Sequence, residues 1–118
     1  MEICWTTIHV ADMQRSKDFY GGLLGLPLSR EMNHGKTQIA FFGEQGKTQF
    51  EIICVEGEAV ENPGKGITVG FAVTDLDAWT EQIRAAGHFV SDPVSPGKAR
   101  FCFATDPDGY RIQLVEQG

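Results

Sequence analysis

The stretch DPDGYRIQLV, residues 106–115, decides the fold. Asp-Pro-Asp-Gly is a turn with a mechanism: Pro107 fixes φ, the Asp side chains accept from nearby backbone N–H groups, and Gly109 tolerates positive φ. Beyond the turn the residues alternate as a strand. Tyr110, Ile112 and Leu114 fall on one face, and Arg111, Gln113 and Val115 fall on the other. An apolar back with an uncharged amide at the centre of the front predicts a sheet whose inner face lines a cavity.

Outward from this strand, the chain uses one plan twice. Residues 3–10 (ICWTTIHV) read as a strand, with Trp5, Thr7 and His9 on one face. Asp12 is the expected N-cap of a helix reaching Leu24, with Phe19/Leu23 and Tyr20/Leu24 as i,i+4 pairs and Gly25 and Pro27 as its stop. Gly21 and Gly22 weaken that helix by roughly 1 kcal/mol each relative to Ala, and close packing on the sheet would explain them. Strands are expected near 28–32, 36–42 and 48–55, and then a Gly-rich, acidic linker over 56–66.

The second half repeats the order: a strand over 68–73, Asp75 as N-cap, a helix face of Leu76, Trp79 and Ile83 ending at Gly87, then strands near 88–91, 99–105 and 110–116. Val10-Ala11-Asp12-Met13 matches Val73-Thr74-Asp75-Leu76 at an offset of 63, and Phe50-Glu51-Ile52 matches Ile112-Gln113-Leu114 at an offset of 62. Near-constant offsets imply an internal repeat. The fold expected is α+β. Two βαβββ modules, about 1–57 and about 66–118, form a single domain over 1–118, with a cup-shaped, mixed or mostly antiparallel sheet and helices outside.

Composition narrows the function. A chain of 118 residues buries about two-thirds of its unfolded surface, enough for one core. Ten Lys plus Arg against sixteen Asp plus Glu give a net charge of −6, with no basic run. Such a surface repels phosphate backbones and anionic lipids, so neither nucleic acid nor membrane is the expected partner. Cys4, Cys54 and Cys102 are odd in number and form no CxxC pair, which fits reduced, buried thiols and a cytoplasmic location. No basic start with an apolar run precedes the first patterned segment, and no apolar stretch approaches membrane length.

Three segments carry a resemblance: ADMQRSKDFYGGLLGL (residues 11–26), VTDLDAWTEQIRAAG (73–87) and FATDPDGYRIQLVE (103–116). In that order the chain resembles the vicinal oxygen chelate superfamily of glyoxalase I, bleomycin and fosfomycin resistance proteins and extradiol dioxygenases. The resemblance implies the glyoxalase/bleomycin resistance fold, a homodimer, and modules that pair within a chain or across chains. It also implies a divalent metal held by His, Glu, His and Glu from four strands. Those positions fall here at Trp5, Glu51, Thr68 and Gln113, and the repeat independently pairs 5 with 68 and 51 with 113. Of the four, Glu51 alone is a competent ligand, because neither indole nor a lone amide replaces a charged donor. The expectation is therefore no metal and no other cofactor. A relocated metal site would draw on His9 with Glu51, but His34 is expected in a turn and His88 just past a helix, so neither supplies a third donor.

The remaining residues suit ligand binding. Trp5 offers an aromatic face to a planar ligand or a cation, or else fills the cavity as core. Thr7, His9, Thr68, Arg111 and Gln113 share the inward faces and can orient a ligand by hydrogen bonds. Glu51, if desolvated, is the candidate general base or acid; otherwise it is tied to Gln113, Thr68 or Arg111. Lys98 and Arg100 border the loop over 91–100 and would attract an anionic ligand. The leading expectation is a metal-independent small-molecule binding protein that sequesters an aromatic compound. A metal-free lyase or isomerase acting through Glu51 is the alternative, then a metal-dependent glyoxalase-like enzyme with a moved site, and last an accessory domain whose cavity Trp5 closes.

Overall fold

A computed structural model describes residues 1–61 and 63–117. Asn62, inside the expected linker, and Gly118, at the end of the expected second module, lie outside the described residues. The chain divides into two compact units, Met1–Glu61 and Asn62–Gly118.

The first unit contains β1 (Trp5–His9), α1 (Met13–Lys17), β2 (Leu28–His34), β3 (Thr37–Phe42) and β4 (Gln49–Val55). Its sheet has the order β1-β4-β3-β2, with β1 parallel to β4 and the other pairs antiparallel. Asp12 caps α1 as expected, its Oδ1 accepting from Arg15 N at 3.0 Å. The helix does not run to Leu24 as a plain α-helix. From Asp18 to Leu23 it widens to π geometry, and Leu24 N bonds Phe19 O at 2.9 Å, five residues back.

Gly21 explains part of this segment: a Cβ there would stand 3.2 Å from Cε1 of Phe42, so the backbone approaches the sheet more closely than a side chain comfortably permits. Gly22 has open space around it, so close packing accounts for the first glycine and not the second. Phe19 and Tyr20 are buried, and the Tyr20 ring lies 4.7 Å from that of Phe50 on β4. The back of the sheet supplies Ala40, Phe42, Phe50 and Ile52 to the core.

The second unit contains β5 (Val69–Val73), α2 (Leu76–Ala85), β6 (Phe101–Thr105) and β7 (Arg111–Glu116) in the sheet order β5-β7-β6. The strand expected at 88–91 is reduced to isolated bridges, Val90 with Ala104 and Val94 with Phe101. Pro93 and Pro96 have no N–H to give a ladder there, and Ser91 Oγ accepts from Phe103 N at 2.9 Å in place of a strand carbonyl. The second unit is thus βαββ with a bridged edge, and hydrogen-bonded strands form two sheets of four and three strands rather than one.

Asp75 Oδ1 accepts from Ala78 N at 3.1 Å, repeating the Asp12 cap. Glu116 Oε2, from β7, accepts from Leu76 N at 3.0 Å and satisfies another first-turn donor. The buried helix face is Leu76, Thr80 and Ile83, with Trp79 only half-buried. Gly87, at φ +90°, ends the helix. The DPDG turn is a structural device: Asp106 is buried, and its Oδ1 accepts from Asp108 N and Tyr110 N, each at 2.9 Å.

The two helix glycines separate in a stability experiment. Gly21→Val should lower unfolding stability by about 1–3 kcal/mol through overpacking on Phe42. Gly22→Ala should raise it by about 0.5–1 kcal/mol through lost unfolded-state freedom. Urea unfolding of both variants reads the difference.

Candidate functional site

The faces away from the helices carry the residues singled out in sequence. On the first sheet, the parallel register sets Trp5 beside Gln49, Thr7 beside Glu51 and His9 beside Ile53, so Trp5, Thr7, His9 and Glu51 share one face. Phe41 lies opposite Glu51 on the other side of β4, and Arg30 lies opposite Phe41. One transverse row therefore reads Thr7, Glu51, Phe41, Arg30.

Glu51 is 6% exposed, and a carboxylate at that depth needs a donor. The Thr7 hydroxyl supplies it by donating to Oε1. The carboxylate is thus tied within its own unit, not to Gln113, Thr68 or Arg111 as the sequence suggested. Its Oε2 has no hydrogen-bond partner among the described residues. Nor is it sealed in, since no unpartnered side-chain oxygen among the described residues is fully buried.

Trp5 is 47% exposed and does not close over as core; its ring stands edge-on to Phe41, with centroids 5.5 Å apart. It borders a groove of about 780 Å³ with Ile3, Cys4 and Gln49. The Arg30 guanidinium lies over Phe41, 4.4 Å from the ring centroid. A hollow of about 330 Å³ between Ser29, Arg30 and Gln49 adjoins it. Another cavity, about 790 Å³, lies between α1 and the β2–β3 hairpin, where Lys17 and Glu31 form an ion pair.

The second unit repeats this layout with different chemistry. Gln113 pairs with Gly70 on β5 and Phe103 on β6. Gly70 stands where the repeat places Thr7, so Gln113 receives no matching hydroxyl; its side-chain amide has no hydrogen-bond partner among the described residues. Thr68 is exposed and immediately precedes β5. Arg111 lies 3.7 Å from the centroid of Phe103, the counterpart of Phe41.

Other expectations change. Arg100 is engaged structurally, with Nη2 at 2.7 Å from Asp77 and Nη1 at 3.3 Å from Glu116, so it does not serve as an anion-binding rim. All three cysteines are free, but Cys4 is exposed rather than buried. Burial pushes the Cys102 thiol above its ordinary value, against a smaller opposing effect of the Thr80 hydroxyl 3.9 Å away. His34 ends β2 opposite Thr37 instead of lying in a turn.

The donors present do not fit the divalent ion that the resemblance implies. Its four positions hold Trp5, Glu51, Thr68 and Gln113, a set with one anion and no imidazole. Among the described residues, no group of three or more His, Cys, Asp or Glu comes together in a way that could hold a metal.

Sequence reasoning missed Arg30, Phe41, Phe103 and the partnership of Thr7 with Glu51. Alternation along β3 and β6 could have placed the two phenylalanines on the open faces. The place of Arg30 opposite Phe41 depends on the register of β2 against β3, and no residue pattern announced it.

A model of the Glyoxalase/Bleomycin resistance protein/Dioxygenase superfamily matches residues 2–114. The chain is 35% identical, over 125 aligned positions, to a lactoylglutathione lyase of Haemophilus influenzae, covering 98% of this chain and 93% of that protein. The trypanothione-dependent glyoxalase I of Leishmania major superposes with a TM-score of 0.86 at 24% identity, covering 98% of this chain and 86% of that one. TnmS3, an antibiotic binding protein from Streptomyces, gives a TM-score of 0.77 at 21% identity, covering 100% and 97% of the two chains. At these identities the two structural likenesses bear on the fold alone.

Removing the Thr7 hydroxyl tests how Glu51 is held. Thr7→Val should cost about 1–3 kcal/mol of stability, because a buried carboxylate loses its donor. The same change made in Glu51→Gln should cost measurably less, and a double-mutant cycle by urea unfolding gives the coupling.

Proposed function

Because the chain belongs to the glyoxalase/bleomycin resistance protein/dioxygenase superfamily, we propose that it is a metal-independent small-molecule binding protein that sequesters a planar aromatic compound. The observation that carries this reading is Trp5. It stands where the family resemblance leads one to expect a metal-binding His, yet it is half-exposed, braced edge-on by Phe41, and beside a groove. A ring held this way keeps an open face for stacking and loses little side-chain freedom when a ligand arrives.

A polar group suited to orienting a ligand shares its face: Glu51 Oε2 is an unclaimed acceptor. Within the second unit by itself, Gln113 offers both a donor and an acceptor. Thr68 and His9 belong to the same reading as ligand-facing residues, as does the homodimer that the resemblance implies. Independence from metal rests on the donor chemistry: Lewis-acid activation needs three or four charged or imidazole donors, and this set has one.

Binding stabilises the folded state by mass action, by about 2.7 kcal/mol at a ligand concentration a hundredfold above Kd. A panel of planar aromatic compounds should therefore raise the melting temperature of the metal-free protein, and Trp5→Ala should abolish the shift. Stoichiometric nickel, zinc, iron or manganese in the purified protein, or no shift across the panel, would sink the proposal.

A second reading is lyase or isomerase chemistry without metal, favoured by Glu51 itself. One carboxylate oxygen is fixed by Thr7 while the other is left to a ligand, an arrangement that can position a base for proton transfer. If so, lactoylglutathione, the compound in the relatives' name, should be turned over in the presence of a chelator and left unchanged by Glu51→Gln. Unchanged turnover in that variant would remove Glu51 from the chemistry.

A further inference from the structure

Beside a bulge, β2 presents a cation on the open face. Leu28 pairs with Phe42, but Arg30 pairs with Phe41, so Ser29 is an inserted residue. Arg30 continues the ladder that Glu31 to His34 make with β3, so it is Leu28 that the insertion shifts, and Arg30 stands on the open face with its Cζ 4.4 Å from the Phe41 centroid. Ser29 holds the bulge: its Oγ donates to Phe41 O at 3.1 Å and accepts from Gln49 Nε2 at 2.9 Å.

Arg30 has no acidic partner among the described residues. Lys17, Lys47, Arg84 and Arg100 of this acidic chain do pair with carboxylates. A guanidinium stacked on a ring keeps its N–H donors in the ring's parallel plane and directed outward, pre-organised for a planar anion. Trp5 touches the same ring from another side, with centroids 5.5 Å apart, and Gln49 borders both the Trp5 groove and the hollow beside Arg30.

We infer that Arg30 is a specificity-determining residue that selects ligands carrying a carboxylate or similar planar anion on an aromatic body, the body stacking on Trp5 and the anion meeting the guanidinium. This inference rests on the binding function proposed for Trp5 and narrows it to a chemical class. The second unit repeats the motif with its own residues: Arg111 lies 3.7 Å from the Phe103 centroid, again with no acidic partner among the described residues.

The test is calorimetric titration of the metal-free protein with naphthoate and with naphthamide, which share a ring system and differ in charge. Wild type should bind the acid at least tenfold more tightly than the amide, and the difference should shrink as salt rises. Arg30→Gln and Arg30→Met, the second of which keeps an apolar stem over Phe41, should each lose that preference and bind the amide as wild type does. Equal affinity of wild type for the two probes, or a preference that survives in both variants, overturns the inference and leaves the binding function standing. Failure of both probes to bind wild type counts against the binding function and takes this inference with it.

Discussion

A carboxylate in the middle of a buried strand must be given a hydrogen bond or it pulls the strand toward water, and Glu51 is 6% exposed at the centre of β4. The parallel register of β1 against β4 meets that requirement by bringing Thr7 alongside. The same register fixes the neighbours. With Thr7 beside Glu51, Trp5 has to fall beside Gln49 and on the open face, and Ile8 has to fall beside Ile52 on the helix side. A slip of one residue would turn every one of these side chains over.

The second unit shows what the sheet looks like when that constraint is relaxed. Gln113 carries no charge, so its burial is less costly and it needs no hydroxyl; Gly70 supplies none. The strands keep the same relation, Gly70 to Gln113 to Phe103 where the first unit has Thr7 to Glu51 to Phe41. The architecture therefore does not depend on the polar pair. The pair instead decides what chemistry the face presents: a fixed acceptor in one unit and an amide with both polarities in the other.

Local chemistry made much of this legible in the sequence. Asp12 and Asp75 cap their helices by short-range geometry, and Asp106, Pro107 and Gly109 build their turn from neighbouring residues. Alternation placed Trp5, Thr7 and His9 on one face of their strand and Gln113 on the front of its own, because the period of a strand is local too, while Glu51 was reached through the resemblance and the repeat. What stayed hidden was register between segments far apart in the chain. Alternation says that Thr7 and Trp5 share a face, but not which of them meets Glu51, and it does not say that Arg30 of β2 meets Phe41 of β3. The lost strand at 88–91 is a similar case: Val90 has strand character, but Pro93 and Pro96 limit how far it can pair.

That lost strand bears on the site as well. In the first unit the cation over the open-face phenylalanine comes from β2, the edge strand of the sheet. The second unit has only bridges at the corresponding edge and cannot deliver a cation from there. Its cation comes instead from Arg111, two residues before Gln113 on β7, leaning onto Phe103 of the neighbouring strand. Two different backbone routes thus end in the same contact, a guanidinium on a phenylalanine beside a central polar residue. The sequence repeat matches the phenylalanines, which occupy equivalent rungs, but not the arginines, which do not. The anion selectivity inferred for Arg30 gives the two arginines one common use, since a guanidinium over a ring offers its donors outward.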